Sequence, residues 1–398
     1  MRQNSRIPGV VVLGSDFKAL GVIRSLGRHG IPGAVVDSQP RSAWFSRYVT
    51  RRFLWEGSME SPDFADFLLR LGREQGLQNW MLVAAQDDAV GTVAQHRDAL
   101  AEIFTVTTPG WDVVQWAFDK RLTDEMARAV GVPYPSTWYP AAEDDLATLD
   151  LRFPVIIKPA ISIRMQQASH LKALPANDLD ELRAQYRIAA GMVSPDEIMI
   201  QEIIPGGGEC QFSVATFCVD GAAPLTMTAQ RKRQYPIDYG LGSSFVEAVN
   251  LPELTELAQR LLAYMGACGM VEVEFKQDPR DGVYKLLDIN IRPWGWHTLC
   301  IACGLDLPYI QYRHLLGESP VSVEPRYGVR WLRMVTDVLA GIQEVRAGVS
   351  TPWSYVRSLI GRNAYSVLDW RDPLPTLGDM GVLVRRAIRP PHGKEASA

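Results

Sequence analysis

Near residue 290 an acid, an amide and a guanidinium recur at strand spacing. In KLLDINIRPWGW, residues 285–296, Asp288, Asn290 and Arg292 interrupt an otherwise apolar run. Side chains two apart lie on one face of a strand, so the three polar groups point the same way. The preceding stretch MVEVEFKQDPRDGVY reads as the partner strand and an Asp-Pro-Arg-Asp-Gly turn, and it sets Glu274 and Glu272 on one face. Hard oxygen donors at adjacent strand positions suit Mg²⁺, which shares its shell with phosphate oxygens. A carboxylate buried unpaired costs several kcal/mol, and a metal removes that cost for Glu274 and Asp288 together. The competing reading is a sheet edge with solvated acids.

Two lysines and one linker extend the pattern. Lys158 ends the apolar strand FPVIIKPA, where a cation can meet a phosphate as a point charge. Lys120 opens a helix, a poor place for a cation beside the positive dipole end unless an anion sits nearby. In MIQEIIPGGGE, strand residues run into Gln201, Glu202, Ile203 and Ile204, then a glycine turn, then Glu209. Main-chain groups of such a linker can read a base edge, and an acid shortly after it can take ribose hydroxyls. Taken singly, each of these reads as well as an ordinary surface charge or hairpin loop.

The elements that must position these groups are those of an α/β protein. Val10–Leu13 is a buried strand, Leu20, Ile23 and Leu26 form a helical stripe, and Val35 and Val36 end a second strand at Asp37. This is a Rossmann-like unit, but its turn is Gly14-Ser15-Asp16 without the full glycine fingerprint, which favours an α/β half that binds no dinucleotide. A helix over 64–75, a strand over 80–84 and the strand FTVTTP follow. Helices are expected over the AFDKRLTDEMARAVGVPYPSTW segment with its Gly-Val-Pro exit, over 178–191, over LPELTELAQRLLAYMGACG and from 304 to about 316. The expected domains are 1–111 (Rossmann-like), 112–319 (carrying the motifs above, with a small mobile lobe at about 140–205) and 320–398 (a C-terminal extension with a flexible tail).

A net charge of −4 argues against non-specific nucleic-acid binding. No apolar run reaches the ~18 residues a membrane span needs, and the first residues lack a signal-peptide pattern, so a cytoplasmic protein is expected. Five cysteines at irregular spacing give no disulfide framework, and Cys300 and Cys303 read as two small residues packing on a helix face. The six histidines have no zinc spacing. No Ser-His-Asp or Cys-His arrangement suggests a covalent enzyme intermediate.

The order Lys120, Lys158, QEII, Glu209, Glu274, DIN-R is far more specific than any part of it. Over about 112–318 the chain resembles the ATP-grasp superfamily. The resemblance implies a two-lobed α+β ATP-grasp domain behind a Rossmann-like domain that often binds the acceptor substrate. It implies that Lys120 and Lys158 bind ATP phosphates and that Gln201, Glu202, Ile203 and Ile204 form the adenine hinge. Glu209 would take ribose, and Glu274, Asp288 and Asn290 would hold Mg²⁺, two ions in this family, with Mn²⁺ as an alternative. RQYP, GSS, RPWGW and DPLP extend the likeness to a bacterial subgroup of carboxylate–amine ligases related to D-aspartate ligase. The family usually has Glu where Asp288 stands. The loop after Lys158 lacks the usual glycines, so its closure would rest on Arg164, Gln166, Gln167 or Lys172.

The implied activity is ATP-dependent activation of a carboxylate as an acyl phosphate for attack by an amine, releasing ADP and phosphate. Arg292 would hold the acyl phosphate or its oxyanion, and Arg231, Lys232 or Arg233 would bind the carboxylate substrate. The partners implied are small-molecule carboxylates and amines, with no nucleic acid and no membrane, and a homo-oligomer is open. The alternatives are a phosphotransferase of the same fold, a non-catalytic nucleotide-binding module and an NAD oxidoreductase.

Overall fold

The computed structural model describes residues 7–161, 173–237, 242–321 and 323–380. Arg164, Gln166, Gln167 and Lys172, on which closure of the loop is expected to rest, and the expected flexible tail beyond 380 lie outside the described residues.

The N-terminal layer is a parallel sheet of β1 (Val10–Leu13), β2 (Gly33–Asp37), β3 (Val49–Leu54), β4 (Met81–Ala84) and β5 (Thr105–Val106), in the order β3-β2-β1-β4-β5. Helices α1 (Phe17–Arg28), α2 (Pro62–Glu74), α3 (Asp87–Gln95) and α4 (Arg97–Ala101) connect it. The fully buried apolar β1 and β4 are what a sheet covered on both faces requires. Asp16 caps α1, its carboxylate accepting from the backbone of Lys18 and Ala19.

The expected single helix around Lys120 is two: α5 (Trp111–Phe118) and α6 (Lys120–Ala129). The break falls at Asp119, which is extended and caps α6 by accepting from the Arg121 N–H.

A four-stranded sheet follows, made of β6 (Thr137–Trp138), β7 (Val155–Pro159), β8 (Leu174–Ala176) and β9 (Ile198–Glu202), with α7 (Leu179–Ala190) on it. Its core, around Val155, Ile157, Leu182, Tyr186 and Ile200, is separate from the others. This sheet spans 137–202.

The largest sheet holds β10 (Gln211–Val219), β11 (Ala222–Tyr235) and β12 (Gly242–Val249), then, after α8 (Pro252–Met265), β13 (Gly269–Gln277) and β14 (Tyr284–Asn290). Helices α9 (Thr298–Cys303) and α10 (Leu307–Leu315) come next. The C-terminal segment adds β15 (Arg330–Leu332), α11 (Met334–Arg346), α12 (Pro352–Ser358) and β16 (Asn363–Tyr365). The order is β14-β13-β10-β11-β12-β15-β16.

The region after 320 is therefore part of this sheet rather than an appendage. It is also fastened to the N-terminal layer. Arg24 of α1 donates to the Asp372 carboxylate at 2.9 Å, to Asp372 O at 2.8 Å and to Val367 O at 2.8 Å, and Ser46 Oγ donates to the same carboxylate at 2.7 Å. Cys300 and Cys303 are buried and free in α9, as a packing role predicts.

Candidate active site

The antiparallel pair β13–β14 sets Glu274 opposite Asp288 and Glu272 opposite Asn290. Alternation divides β13: Val271, Val273 and Phe275 enter the large core, while Glu272, Glu274 and Lys276 line the other face. The register slips after Glu274, so Leu287 is an unpaired bulge residue beside Asp288. The bulge turns Leu287 O and the Asp288 carboxylate toward α6. Lys120 Nζ donates to both, at 3.4 Å to the carbonyl and in a close ion pair with Asp288.

Asn290 Nδ2 donates to Glu272 at 3.1 Å and to Glu274 at 3.0 Å. Two carboxylates on one side fix the amide's orientation, leaving its oxygen for another partner. Arg231 of β11 donates to Glu274 at 3.3 Å. Glu272 is only 2% exposed. Burial, then the negative charge of Glu274, pushes its carboxyl well above the usual range. Side-chain exposure rises from there to 22% at Glu274 and 40% at Asp288, so the row runs from floor to mouth.

The second lysine stands at the end of β7. Lys158 Nζ donates to Gln201 Oε1 at 3.1 Å, and Gln201 Nε2 donates to Thr137 at 3.1 Å. The Lys120 N–H donates to Ala160 O at 2.9 Å, which ties the start of α6 to the chain just beyond Lys158. The linker after β9 crosses from the small sheet to the large one. Glu202 is anchored by side-chain ion pairs to Lys285 at 2.7 Å and Arg280 at 2.9 Å, and its N–H is spent on Ser136 O. Lys285 and Arg280 also pair with Asp278, which these donors hold well below the usual carboxylate range. Glu209 is exposed and accepts from the Gly207 N–H at 2.9 Å.

Two expectations need correction. Arg233 is not at this cluster's disposal. Its guanidinium donates twice to the fully buried Asp337, both at 2.9 Å, and once to Ser358, and it lies between the rings of Phe245 and Tyr355. The register shifts on both sides of Arg233 in β11, so strict alternation from Arg231 fails there. Arg292 does not continue β14, which ends at Asn290. It turns to the N-terminal layer and grips Asp87, at the start of α3, with two nitrogens, one at 2.9 Å. Asp306, a nearby acid in sequence, caps α10 and accepts from Ser25.

Asp87 is the residue that sequence reasoning passed over. It follows the C-terminal end of β4 in the turn AQDD. Beside it Lys18 donates to Gln86 at 3.4 Å and pairs with Asp16 at 3.6 Å. In a 3-2-1-4-5 sheet the strand order reverses between β1 and β4, and ligands sit at that crevice; this was the available signal. The turn after β1 bears on the dinucleotide alternative. Asp37, the acid that would meet a ribose, accepts from the Ser15 N–H at 2.6 Å and Ser15 Oγ at 2.7 Å.

The oxygen donors suit a hard dication. Among the described residues no cluster of three His, Cys, Asp or Glu side chains could hold a metal by itself. A carboxylate–amide set completed by phosphate oxygens is the arrangement expected of Mg²⁺ rather than of an all-protein cage. Burial and the negative charge of Glu274 disfavour the Glu272 anion, and such an ion would offset that repulsion. Among the described residues no helix is long and apolar enough to cross a membrane.

A two-lobed cleft with this topology is the ATP-grasp fold, and the comparisons with known proteins point the same way. The profile of the family described as "ATP-grasp in the biosynthetic pathway with Ter operon" matches residues 194–336. The chain is 26% identical over 342 residues to D-aspartate ligase of Enterococcus faecium (strain Aus0004), covering 80% of this chain and 79% of that protein. Its fold is similar to L-amino acid ligase from Bacillus licheniformis, with TM-score 0.60, 14% identity, and 80% and 75% of the two chains covered. It is likewise similar to the ADP complex of N5-carboxyaminoimidazole ribonucleotide synthetase, with TM-score 0.65, 12% identity, and 86% and 87% covered.

Proposed function

We propose that this protein is an ATP-dependent carboxylate–amine ligase. The reading rests above all on the facing pair Glu274 and Asp288, with Lys120 closing on it from α6 where the two sheets meet. The ligase names of its relatives agree with that chemistry. A carboxylate is a poor acyl donor because its leaving group would be oxide. One of its oxygens attacks the γ-phosphorus of ATP, ADP departs, and the resulting acyl phosphate offers phosphate as leaving group. An amine then attacks the acyl carbon, phosphate is expelled and the nitrogen gives up a proton.

The protein's part is positioning and charge. Lys120 and Lys158 take phosphate oxygens, the linker at Gln201, Glu202, Ile203 and Ile204 takes the base, and Glu209 takes the ribose. Glu274, Asp288 and Asn290 would hold Mg²⁺, with the buried Glu272 behind them. When bound, that ion neutralises charge on the transferring phosphoryl group. Arg231, beside Glu274, would be placed to bind the substrate carboxylate. Arg292 faces the acyl phosphate from the crevice that the N-terminal layer closes, and the amine enters there. Acyl phosphate chemistry of this kind belongs in a cytoplasm that supplies ATP.

An ADP-release screen over pairs of carboxylates and amines, amino acids first, with product masses measured, tests the reading. ADP release that depends on both substrates, with a product of condensed mass, is expected. ADP release with a carboxylate alone and a stable phosphorylated product would replace the ligase by a phosphotransferase.

A further inference from the structure

We infer that Lys276 is a positioning residue for the nucleobase end of the ATP site, clamping the linker between the two sheets so that its main chain can select adenine. The inference rests on the ligase reading only in that it requires ATP to bind in the cleft.

Lys276 continues the row Glu272, Glu274 along β13, two residues further toward the linker. Its ammonium donates to Ile204 O and to Gly206 O, each at 2.7 Å. The linker it holds is chemically unsuited to hold itself. Pro205 has no N–H to donate, and three glycines follow, of which Gly206 has φ +88. A glycine run has the largest backbone entropy to lose on ordering. The ion pairs at Glu202 fix where the linker leaves β9, and Lys276 fixes its middle from the opposite sheet. Two carbonyls converging on one cation set the plane of the peptides around them. Carbonyls 204 and 206 are then committed, as is the Glu202 N–H to Ser136 O, and reading falls to the main chain at Ile203. Adenine offers an amino donor beside a ring acceptor, and a rigid strand-like edge there can match that pair.

Lys276 acts here on the base end, and this separates it from the phosphate-binding lysines. Loss of a phosphate contact weakens ATP more than ADP. Loss of the linker clamp weakens both by the same factor and blurs the choice of base. The full chain, its Lys276→Met and its Lys276→Arg variants are titrated by calorimetry with ATP, ADP and GTP in Mg²⁺, with melting followed alongside. We expect Lys276→Met to lose at least about tenfold in affinity for ATP and for ADP alike, the scale of a lost charge-assisted contact. The ATP-over-GTP preference should shrink, and arginine should restore part of it. If the methionine variant fails to fold, Lys276→Gln, which keeps one donor, is measured in its place. Unchanged affinity and base preference overturn the inference, as does a loss for ATP that clearly exceeds that for ADP. A wild-type chain that binds no ATP overturns the ligase reading itself, and shows this before any variant is made.

Discussion

Arg292 and Asp87 join the end of the largest sheet to the N-terminal layer through a two-nitrogen grip across 205 residues of sequence. The guanidinium side chain is 13% exposed and the carboxylate 56%, so the pair sits at the rim of the crevice with the arginine inward. Arg292→Lys keeps the charge and loses the fork. Substrate-dependent ADP release should fall about tenfold or more, equivalent to about 1.4 kcal/mol, with nucleotide affinity nearly unchanged. Asp87→Asn should leave the guanidinium free for substrate and cost much less turnover. Equal losses of melting temperature and activity in both variants would make the pair a strut between domains and nothing more.

Glu274→Gln and Asp288→Asn each keep shape and remove one charged oxygen. Turnover should drop at least ~10²-fold in each, the scale of one lost electrostatic stabiliser. ADP release titrated with Mg²⁺ is the measurement. Near-normal rates in both at limiting Mg²⁺ would exclude these residues as metal ligands.

The buried pair of Arg233 and Asp337 has a different signature. Asp337 also accepts from Tyr355 at 3.3 Å, so one carboxylate joins β11 to α11 and α12. Asp337→Ala strands a buried guanidinium and should cost roughly 3 kcal/mol or more in urea unfolding. ATP affinity of the protein that remains folded should stay within a few-fold. A stable Asp337→Ala protein with specifically lost carboxylate binding would return Arg233 to the reaction centre.

His297 gives a pH dependence whose sign follows from its contacts. Its Nδ1 is 2.7 Å from Trp294 O, an acceptor only, so Nδ1 carries the proton. Nε2 is buried with no partner among the described residues. Burial lowers the imidazole to about 4 from 6.5, while the Trp294 carbonyl and Asp16 pull the other way and Lys18 adds to the lowering. Between those values the unfolded chain binds a proton that the folded chain refuses. Stability from this group is therefore present above pH 6.5 and lost as pH falls toward 4. About 2 kcal/mol should go between pH 7 and 5. Urea unfolding of wild type and His297→Gln at both values checks it, the variant showing the shallower fall by about that amount.

The sequence alone determined the local chemistry. Strand alternation brought Glu272 and Glu274 to one face of their strand, and Asp288 and Asn290 to one face of theirs, because a period of two leaves little freedom; the bulge at Leu287, which no local pattern marks, then made the two pairs face each other. Lys120 marked a helix start, and the cap at Asp119 sets it. Only the tertiary structure decided which cation meets which acid. Arg231 and Arg233 are alike in the sequence, yet register shifts in β11 send one to Glu274 and the other to Asp337. The segment after 320 looked like an appendage because β15 and β16 are three residues each, too short to show a pattern, and Asp372 meets its partner Arg24 348 residues away. Arg292 carries no mark of Asp87, nor Lys276 of the linker carbonyls. Such contacts join positions whose separation along the chain encodes nothing about their distance in space, and only folding the intervening elements sets it.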